Sequence, residues 1–467
     1  MAEGLHQIRN RLVICSLFLQ CFFLVGAVSA SFAAGLSREE VQSILNDSFV
    51  ALLTGKEFGP ALEQRQDALR DMMERGGIKK AELAAMLEKT VVPVLERHQT
   101  SRYILKDLPA KVDRLLAPYM EWNEVEATMW KACSSMIKDG EQIVLKLGTL
   151  APPGTPWLVI PETTLLPKIA KLSGGKVVFK IYGGGVMGED TDILRKMDIG
   201  QLEGCGCTAL GILAASPETS AFLIPGLFKN YDEVDYITTK FRKQLDKHFE
   251  KRGYILAGMI DTGFFNIYSV NKITGFADLQ KQKFLTWFGV IETTLYNELG
   301  INPTPVAVPE VVSALSTGLA DACLAPSAWM LGMQAYQYIK FYVRQPILYS
   351  PAAIVISAQV KERVKKQFGV SERLADNIVE LLIYEVGSLE TEWRKQIQAY
   401  DEKTLKAFEV KCGMKAVDLS PEDRRELEKA GERVRERLAG KAFPEDMMKD
   451  ILKALDEYRA RRPAVSP

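Results

Sequence analysis

Ile143-Val144-Leu145-Lys146-Leu147-Gly148-Thr149-Leu150 is the stretch where the hydrophobic period of the chain changes. Upstream, apolar residues recur at helical spacing; from Ile143 they read as a strand. A Pro/Gly turn and a helical run over residues 157–172 follow, closed by Ser173-Gly174-Gly175. Lys176-Val177-Val178-Phe179-Lys180-Ile181-Tyr182 then reads as a second strand, residues 190–199 as a helix and 203–210 as another apolar strand. Strand, helix, strand, helix, strand is the signature of a parallel sheet with crossover helices. An α/β domain is therefore expected to begin near residue 141.

Outward from that stretch the pattern repeats. A helix is expected over 232–251, strands over 254–261 and 264–270, and further strands over 283–287, 304–308, 320–325 and 347–357, with helices over 292–299 and 309–317 between them. Helical segments over 371–387, 389–410, 421–438 and 444–462 end the chain. Two α/β lobes with a helical tail follow from this order. Upstream, residues 35–140 read as a small all-α domain. Ser37 and Glu40 form a capping box before the apolar face of Val41, Ile44, Leu45, Phe49, Leu52 and Leu53. Helices are expected over 60–74, 79–97 and 109–138, joined by Gly76-Gly77 and by residues 101–109.

The N-terminus has the layout of an export signal. Arg9 and Arg11 precede an uncharged run over 12–34 that ends in small residues. A run of that length also suits a retained membrane anchor, and in either case the rest of the chain is expected in the periplasm. Residues 1–34 are thus assigned to a signal peptide or anchor, 35–140 to the helical domain and 141–467 to the two-lobed domain.

Bulk composition excludes several classes. A chain of 467 residues is too long for one ordinary core. A hydrophobic content of 47% with 25% charged residues is that of a folded protein. A formal net charge of zero gives no electrostatic case for nucleic acid. Five cysteines remain beyond the signal, an odd and scattered set that makes no disulfide framework. Cys205 and Cys207 share one face of a strand and are expected to be small buried residues rather than metal ligands.

Catalytic chemistry has little to work with. Of three histidines, His6 lies in the signal, His98 near a helix end and His248 on an amphipathic helix, so no Ser-His-Asp or Cys-His arrangement can be placed. Gly183, Gly185 and Gly188 match G-x-G-x-x-G between a strand and a helix. Against a dinucleotide site, Glu203 starts the following strand instead of ending it, and Lys180 interrupts the preceding one. No cofactor and no enzymatic activity are expected. The aromatic residues give a better lead, because Trp157, Phe265, Trp287 and Trp329 fall at strand ends and turns, where open α/β sheets bind ligands.

With these features in place, residues 143–460 resemble the solute-binding proteins of tripartite ATP-independent periplasmic (TRAP) transporters. The resemblance rests on ordered features: Lys146-Leu147-Gly148 leading to Pro156-Trp157; Gly188-Glu189 leading to Gly200-Gln201-Leu202-Glu203; Ile224-Pro225-Gly226-Leu227-Phe228; Phe276-Ala277-Asp278-Leu279; Asn302-Pro303-Thr304-Pro305 with Pro309-Glu310-Val311; and Tyr349-Ser350-Pro351. It implies a two-lobed periplasmic-binding-protein-like α/β fold with a long interlobe helix, closing on a small-molecule ligand and delivering it to membrane permease subunits. The helical domain over 35–140 is not part of the family pattern and is expected to dock a helical partner protein.

Family members hold a carboxylate through an Arg that follows the Asp-Leu turn, and here that position is Leu285. A second Arg position is Phe265, and an Asn position is Ala325. Loss of the cationic fork would leave a carboxylate unpaired in a closed cleft. The expected ligand is therefore apolar or weakly polar, bound by Trp157, Phe265, Leu285, Trp287, Ala325 and Trp329. The alternatives are an organic-acid receptor whose charge comes from residues such as Arg195 or Lys283, and, from other classes, an exported enzyme or a non-transport sensor or assembly protein on this fold.

Overall fold

The computed structural model describes residues 35–116, 120–287 and 289–461. The expected signal or anchor at 1–34 lies outside the described residues. Among those described, no helix is long and apolar enough to cross a membrane. By contact density the chain divides into two compact units: the chain up to Met136 with Asp376–Glu380, and Ile137–Ala375 with the chain from Leu381.

The first unit is all helical: α1 (Arg38–Thr54), α2 (Pro60–Glu74), α3 (Lys80–Arg97), α4 (Arg102–Leu116) and α5 (Trp122–Ser134). The capping box at the start of α1 is formed in both directions, Glu40 N–H donating to Ser37 Oγ and Ser37 N–H to Glu40 Oε2. Two expectations fail here: the single helix over 109–138 is divided between the end of α4 and α5, and the connector before it is helical. Residues 101–109 are not a connector, because α4 runs through Pro109. Leu105, Leu108 and Val112 are all buried at helical spacing, and that stripe outweighs the hydrogen bond Pro109 cannot donate. Within this unit Arg102 meets both carboxylate oxygens of Glu380 at 3.1 Å. The Asn377 amide donates to the carbonyls of Leu95 and His98.

The second unit is built on one mixed sheet. Its strands are β1 (Ile143–Thr149), β2 (Val177–Tyr182), β3 (Gly204–Cys207), β4 (Tyr254–Ser269), β5 (Phe284–Thr286), β6 (Pro303–Pro305), β7 (Ala322–Pro326), β8 (Phe341–Val343), β9 (Leu348–Ser357) and β10 (Lys415–Val417). The main path is β2-β1-β3-β9-β4-β7-β5-β6. β1 pairs in parallel with β2 and β3, as the crossover pattern requires. β9 and β4 are antiparallel and carry the sheet from the first lobe, β2-β1-β3, to the second, β7-β5-β6.

β4 is where the sequence reading differs most. Two strands over 254–261 and 264–270 are one continuous strand, with register irregularities between Leu256 and Gly258 and between Asp261 and Gly263. Gly263 sits at φ 111°, so the chain kinks without breaking its pairing to β9. The expected helix over 157–172 is in three parts: α6 (Pro156–Ile160), a π-helical turn (Pro161–Leu165) and α7 (Leu166–Leu172). Only Gly204–Cys207 of the expected strand 203–210 is extended. After α8 (Asp190–Asp198), Thr208 caps α9 (Ala209–Ala215).

Helices α10 (Tyr231–Glu250), α11 (Val290–Glu298), α12 (Val311–Thr317) and α13 (Ser327–Gly332) cover the lobes. After α14 (Val360–Phe368), α15 (Glu372–Ser388) and α16 (Glu390–Val410) follow each other with one residue between, then α17 (Pro421–Leu438) and α18 (Glu445–Arg461). α16 is the long interlobe helix. Arg394 on it reaches Asp261 of β4 at 3.0 Å and Asp235 of α10 at 2.6 Å. Two turns further on, Asp401 accepts hydrogen bonds from Ser327 Oγ and Ala328 N–H at the start of α13.

Candidate functional site

Between the two lobes lies a cavity with about 100 Å³ of space for the centres of water-sized molecules, several times what a single water occupies on that measure, roughly 10–15 Å³. Alternation along the strands builds its first-lobe wall. Leu147 and Thr149 of β1, Phe179 and Ile181 of β2, and Ala352, Ile354 and Ile356 of β9 all face it at every second residue. Trp157, Leu158, Pro161, Leu165 and Leu166 come from α6, the π turn and α7. Pro161 has no N–H to donate, and the wider π turn falls on the segment that faces the cavity. Trp287, Val308, Pro326 and Trp329 close it from the second lobe, and Val386 and Trp393 from α15 and α16.

Among the described residues, no Asp, Glu, Lys, Arg or His lines this cavity. The hydroxyls that do are committed to the protein. Thr149 donates to the Gly206 carbonyl at 2.7 Å, Thr208 to Asp190 at 2.6 Å and Thr262 to the Pro351 carbonyl at 3.0 Å. Two of the indoles are fixed in the same way, Trp157 on the Asp261 carbonyl at 2.8 Å and Trp393 on the Pro156 carbonyl at 3.1 Å. Trp287 and Trp329 meet edge to face with ring centroids 5.1 Å apart. The Trp329 indole N–H is buried and has no acceptor among the described residues.

Of the expected site residues, Trp157, Trp287 and Trp329 lie on the cavity wall. Phe265, Leu285 and Ala325 are buried but do not line it. Ala325 stands one residue before Pro326 on β7, so the pleat turns it away where Pro326 faces in. Phe265 pairs with Pro326 across the ladder, beyond the Gly263 kink. Leu285 lies in the middle of β5, two residues before Trp287. Neither charge expected of the organic-acid alternative lines the cavity: Arg195 is an exposed partner of Asp192, and Lys283 donates to the Gly318 carbonyl at 3.1 Å. The sequence reading missed Phe179, Ile354 and Trp393. Alternation was a usable signal for the first two, while Trp393 is one of many apolar positions on a helix.

A polar lattice backs the wall. The Asp261 carboxylate accepts from Tyr349 Oη at 2.6 Å, Arg394 Nε at 3.1 Å and Gln398 Nε2 at 3.0 Å. Asp401 also accepts from Tyr231 Oη at 3.2 Å, and burial pushes its carboxyl up to about 6 in spite of these donors. Across the mouth of the cleft, the Val308 N–H donates to the Glu189 carboxylate.

The glycine loop before α8 is poorly suited to a phosphate. Glu189 and Asp192 form a capping box that occupies the N-terminal N–H groups with carboxylates, and two acids there repel an anion. Cys205 and Cys207 are buried, as expected of small strand residues, but they are also joined by a disulfide.

The family model for bacterial extracellular solute-binding proteins, family 7, matches residues 147–441. The chain belongs to this family. A solute-binding protein of Roseobacter denitrificans is 21% identical over 216 residues, 46% of this chain and 66% of that protein, just under two thirds of its length. The sugar acid binding protein of Advenella mimigardefordensis, solved in complex with galactonate, superposes with a TM-score of 0.61 at 20% identity over 68% of this chain and 99% of its own. A TRAP periplasmic solute-binding protein of Haemophilus influenzae with bound L-gulonate gives 0.59 at 18% identity, over 68% and 99%. The family 7 chain therefore has the two-lobed periplasmic-binding-protein-like fold with a small all-α segment before it in sequence. Its family is one of solute binding.

Proposed function

We propose that this family 7 protein is the periplasmic receptor of a TRAP-type transporter, capturing a small, predominantly apolar or weakly polar ligand between its lobes and presenting it to membrane permease subunits. The observation that carries the ligand class is the cavity wall, which has no ionisable side chain and whose hydroxyls already donate to the protein. A carboxylate closed into such a cavity would lose its hydration with no cation to replace it. The indole N–H of Trp329 offers one donor to a weakly polar ligand. On this reading Trp157, Trp287 and Trp329 contact the ligand, and Phe265, Leu285 and Ala325 shape the site from behind. Among the described residues nothing in the cavity resembles an acid, base and nucleophile in reach of one another, which supports a reading of binding without turnover.

A second reading is a receptor for an organic acid, and the similar proteins favour it. The Advenella protein was solved with galactonate and the Haemophilus protein with L-gulonate, both polar acids. Thermal shift with a panel of small acids and of neutral apolar compounds, beside mass spectrometry of whatever co-purifies, separates the two. Stabilisation by neutral compounds alone supports the first. Salt-sensitive stabilisation by galactonate or succinate alone overturns it in favour of the second.

For residues 35–140 the proposed role is docking of a helical partner protein, with residues 1–34 serving as signal or anchor and 141–467 as the receptor. A chain lacking 35–138 that retains every interaction of the full chain overturns that assignment.

A further inference from the structure

Six neighbouring strands, β2-β1-β3-β9-β4-β7 in that order, each give the cavity a lining residue: Ile181, Leu147, Gly206, Ile354, Ile260 and Pro326. Five spacings of about 4.8 Å put β2 and β7 roughly 24 Å apart along the sheet. In the first lobe the lining follows the ladder register, with Leu147 opposite Ile181, Thr149 opposite Gly206 and Gly206 opposite Ile354. Gly206 has no side chain, so the floor is bare between Thr149 and Ile354. That gap is kept narrow: a Cβ on Gly206 would come within 2.9 Å of Thr149 Oγ1. The space of about 100 Å³ amounts to roughly seven to ten water-sized positions. So few positions drawn out across six strands make a narrow bore, not a rounded chamber.

We propose that the cavity takes an unbranched, uncharged hydrocarbon chain of roughly seven to ten non-hydrogen atoms, a methylene being about the size of a water. The chain lies across the first-lobe sheet, with one end at Ile181 on β2 and the other against Trp287 and Trp329 of the second lobe. This inference rests on the apolar reading of the site and adds the shape and length of the ligand to it. The chain is uncharged because, among the described residues, no ionisable side chain lines the bore to meet a charge. Medium-chain alcohols and ketones have this chemistry. Compact ring systems do not, because they need width where the bore offers length. A ligand held along its whole length gains affinity with each methylene until the bore is full.

The test is calorimetric titration of the full chain with the 1-alkanols from butanol to dodecanol, beside camphor as a compact neutral ketone and succinate as an acid. Binding is expected to tighten about fourfold with each methylene, the fold-change that corresponds to about 0.8 kcal/mol. The gain is expected to stop at roughly seven to ten non-hydrogen atoms. Ile181 is half-buried on the outermost strand of this path, where a larger ring meets little of the core. Ile181→Trp, which fills that end of the bore, is expected to move the stop to shorter chains and to weaken the best wild-type chain at least about fourfold, the share of one methylene. Camphor binding more tightly than any chain overturns the chain and leaves the apolar reading standing. A gain that continues to dodecanol overturns the length, and an Ile181→Trp series like the wild type's overturns the placement of the chain end. Salt-sensitive binding of succinate with no response to any alcohol overturns this inference and the apolar reading together. Should Ile181→Trp not fold, the wild-type series decides alone, and a flat one overturns the proposal.

Discussion

The indole of Trp157 donates to the backbone carbonyl of Asp261 at 2.8 Å, and the carboxylate of the same Asp261 takes the guanidinium of Arg394. Three parts of the fold meet in that residue: the helix that lines the cavity, the strand that passes between lobes, and the interlobe helix. The kink at Gly263 follows immediately. The Trp157 wall is thus tied directly to the strand that bends.

Replacing Trp157 by Phe keeps most of the ring and removes the donor. A buried carbonyl left without its partner is expected to lower stability by about 1–3 kcal/mol. Urea unfolding should show a lower midpoint at unchanged slope.

Trp287 and Trp329, edge to face at 5.1 Å, should be energetically coupled. A double-mutant cycle to Ala in the ligand-free protein is expected to give an interaction of about 0.5–1.5 kcal/mol. Additive losses would mean that the two rings only border the cavity.

Asp401 makes an acid-side statement. Its carboxyl is raised to about 6 from an ordinary value of 3.8. The stability it contributes is therefore fully present below pH 3.8 and is lost as pH rises through 6. Over that window the loss from this group is on the order of 3 kcal/mol. Asp401→Asn, which does not titrate, should remove that part of the pH dependence when unfolding free energies are compared across the window.

Leu285 is buried in the middle of β5. Leu285→Arg is expected to lower stability by on the order of 3–5 kcal/mol, because the guanidinium enters without a counter-charge. Succinate is expected not to raise the melting temperature of the wild type. A rise would count against the apolar reading of the cavity.

The helical segments were legible because their signals are local. Ser37 with Glu40, Pro60, Pro421 and the apolar stripes each lie within a turn or two of what they determine. The same locality explains the failures. Pro109 reads as a boundary until Leu105, Leu108 and Val112 are seen buried together. Thr262-Gly263 reads as a turn until Ser350 and Tyr349 are found paired opposite Gly263 and Phe264.

At the site, three of six expected residues reached the cavity wall. Trp157, Trp287 and Trp329 sit at the ends of elements, where a side chain meets a cleft with little dependence on register. Phe265, Leu285 and Ala325 lie inside strands, where one residue of register or a kink decides which way a side chain points. Cys205 and Cys207 could be placed on one face by counting, but their bond could not be read from an odd cysteine count.

The sequence alone determined the α/β class, the order of elements and the absence of a charged fork at Leu285, since periodicity and residue identity are properties of the chain itself. Only the tertiary structure decided that β4 is one kinked strand shared by both lobes, that the cavity wall carries no ionisable group among the described residues, and that Asp190 lies beside the Cys205–Cys207 bond. Those facts depend on which distant residues are brought within a few ångströms, and no local pattern along the chain encodes a distance across it.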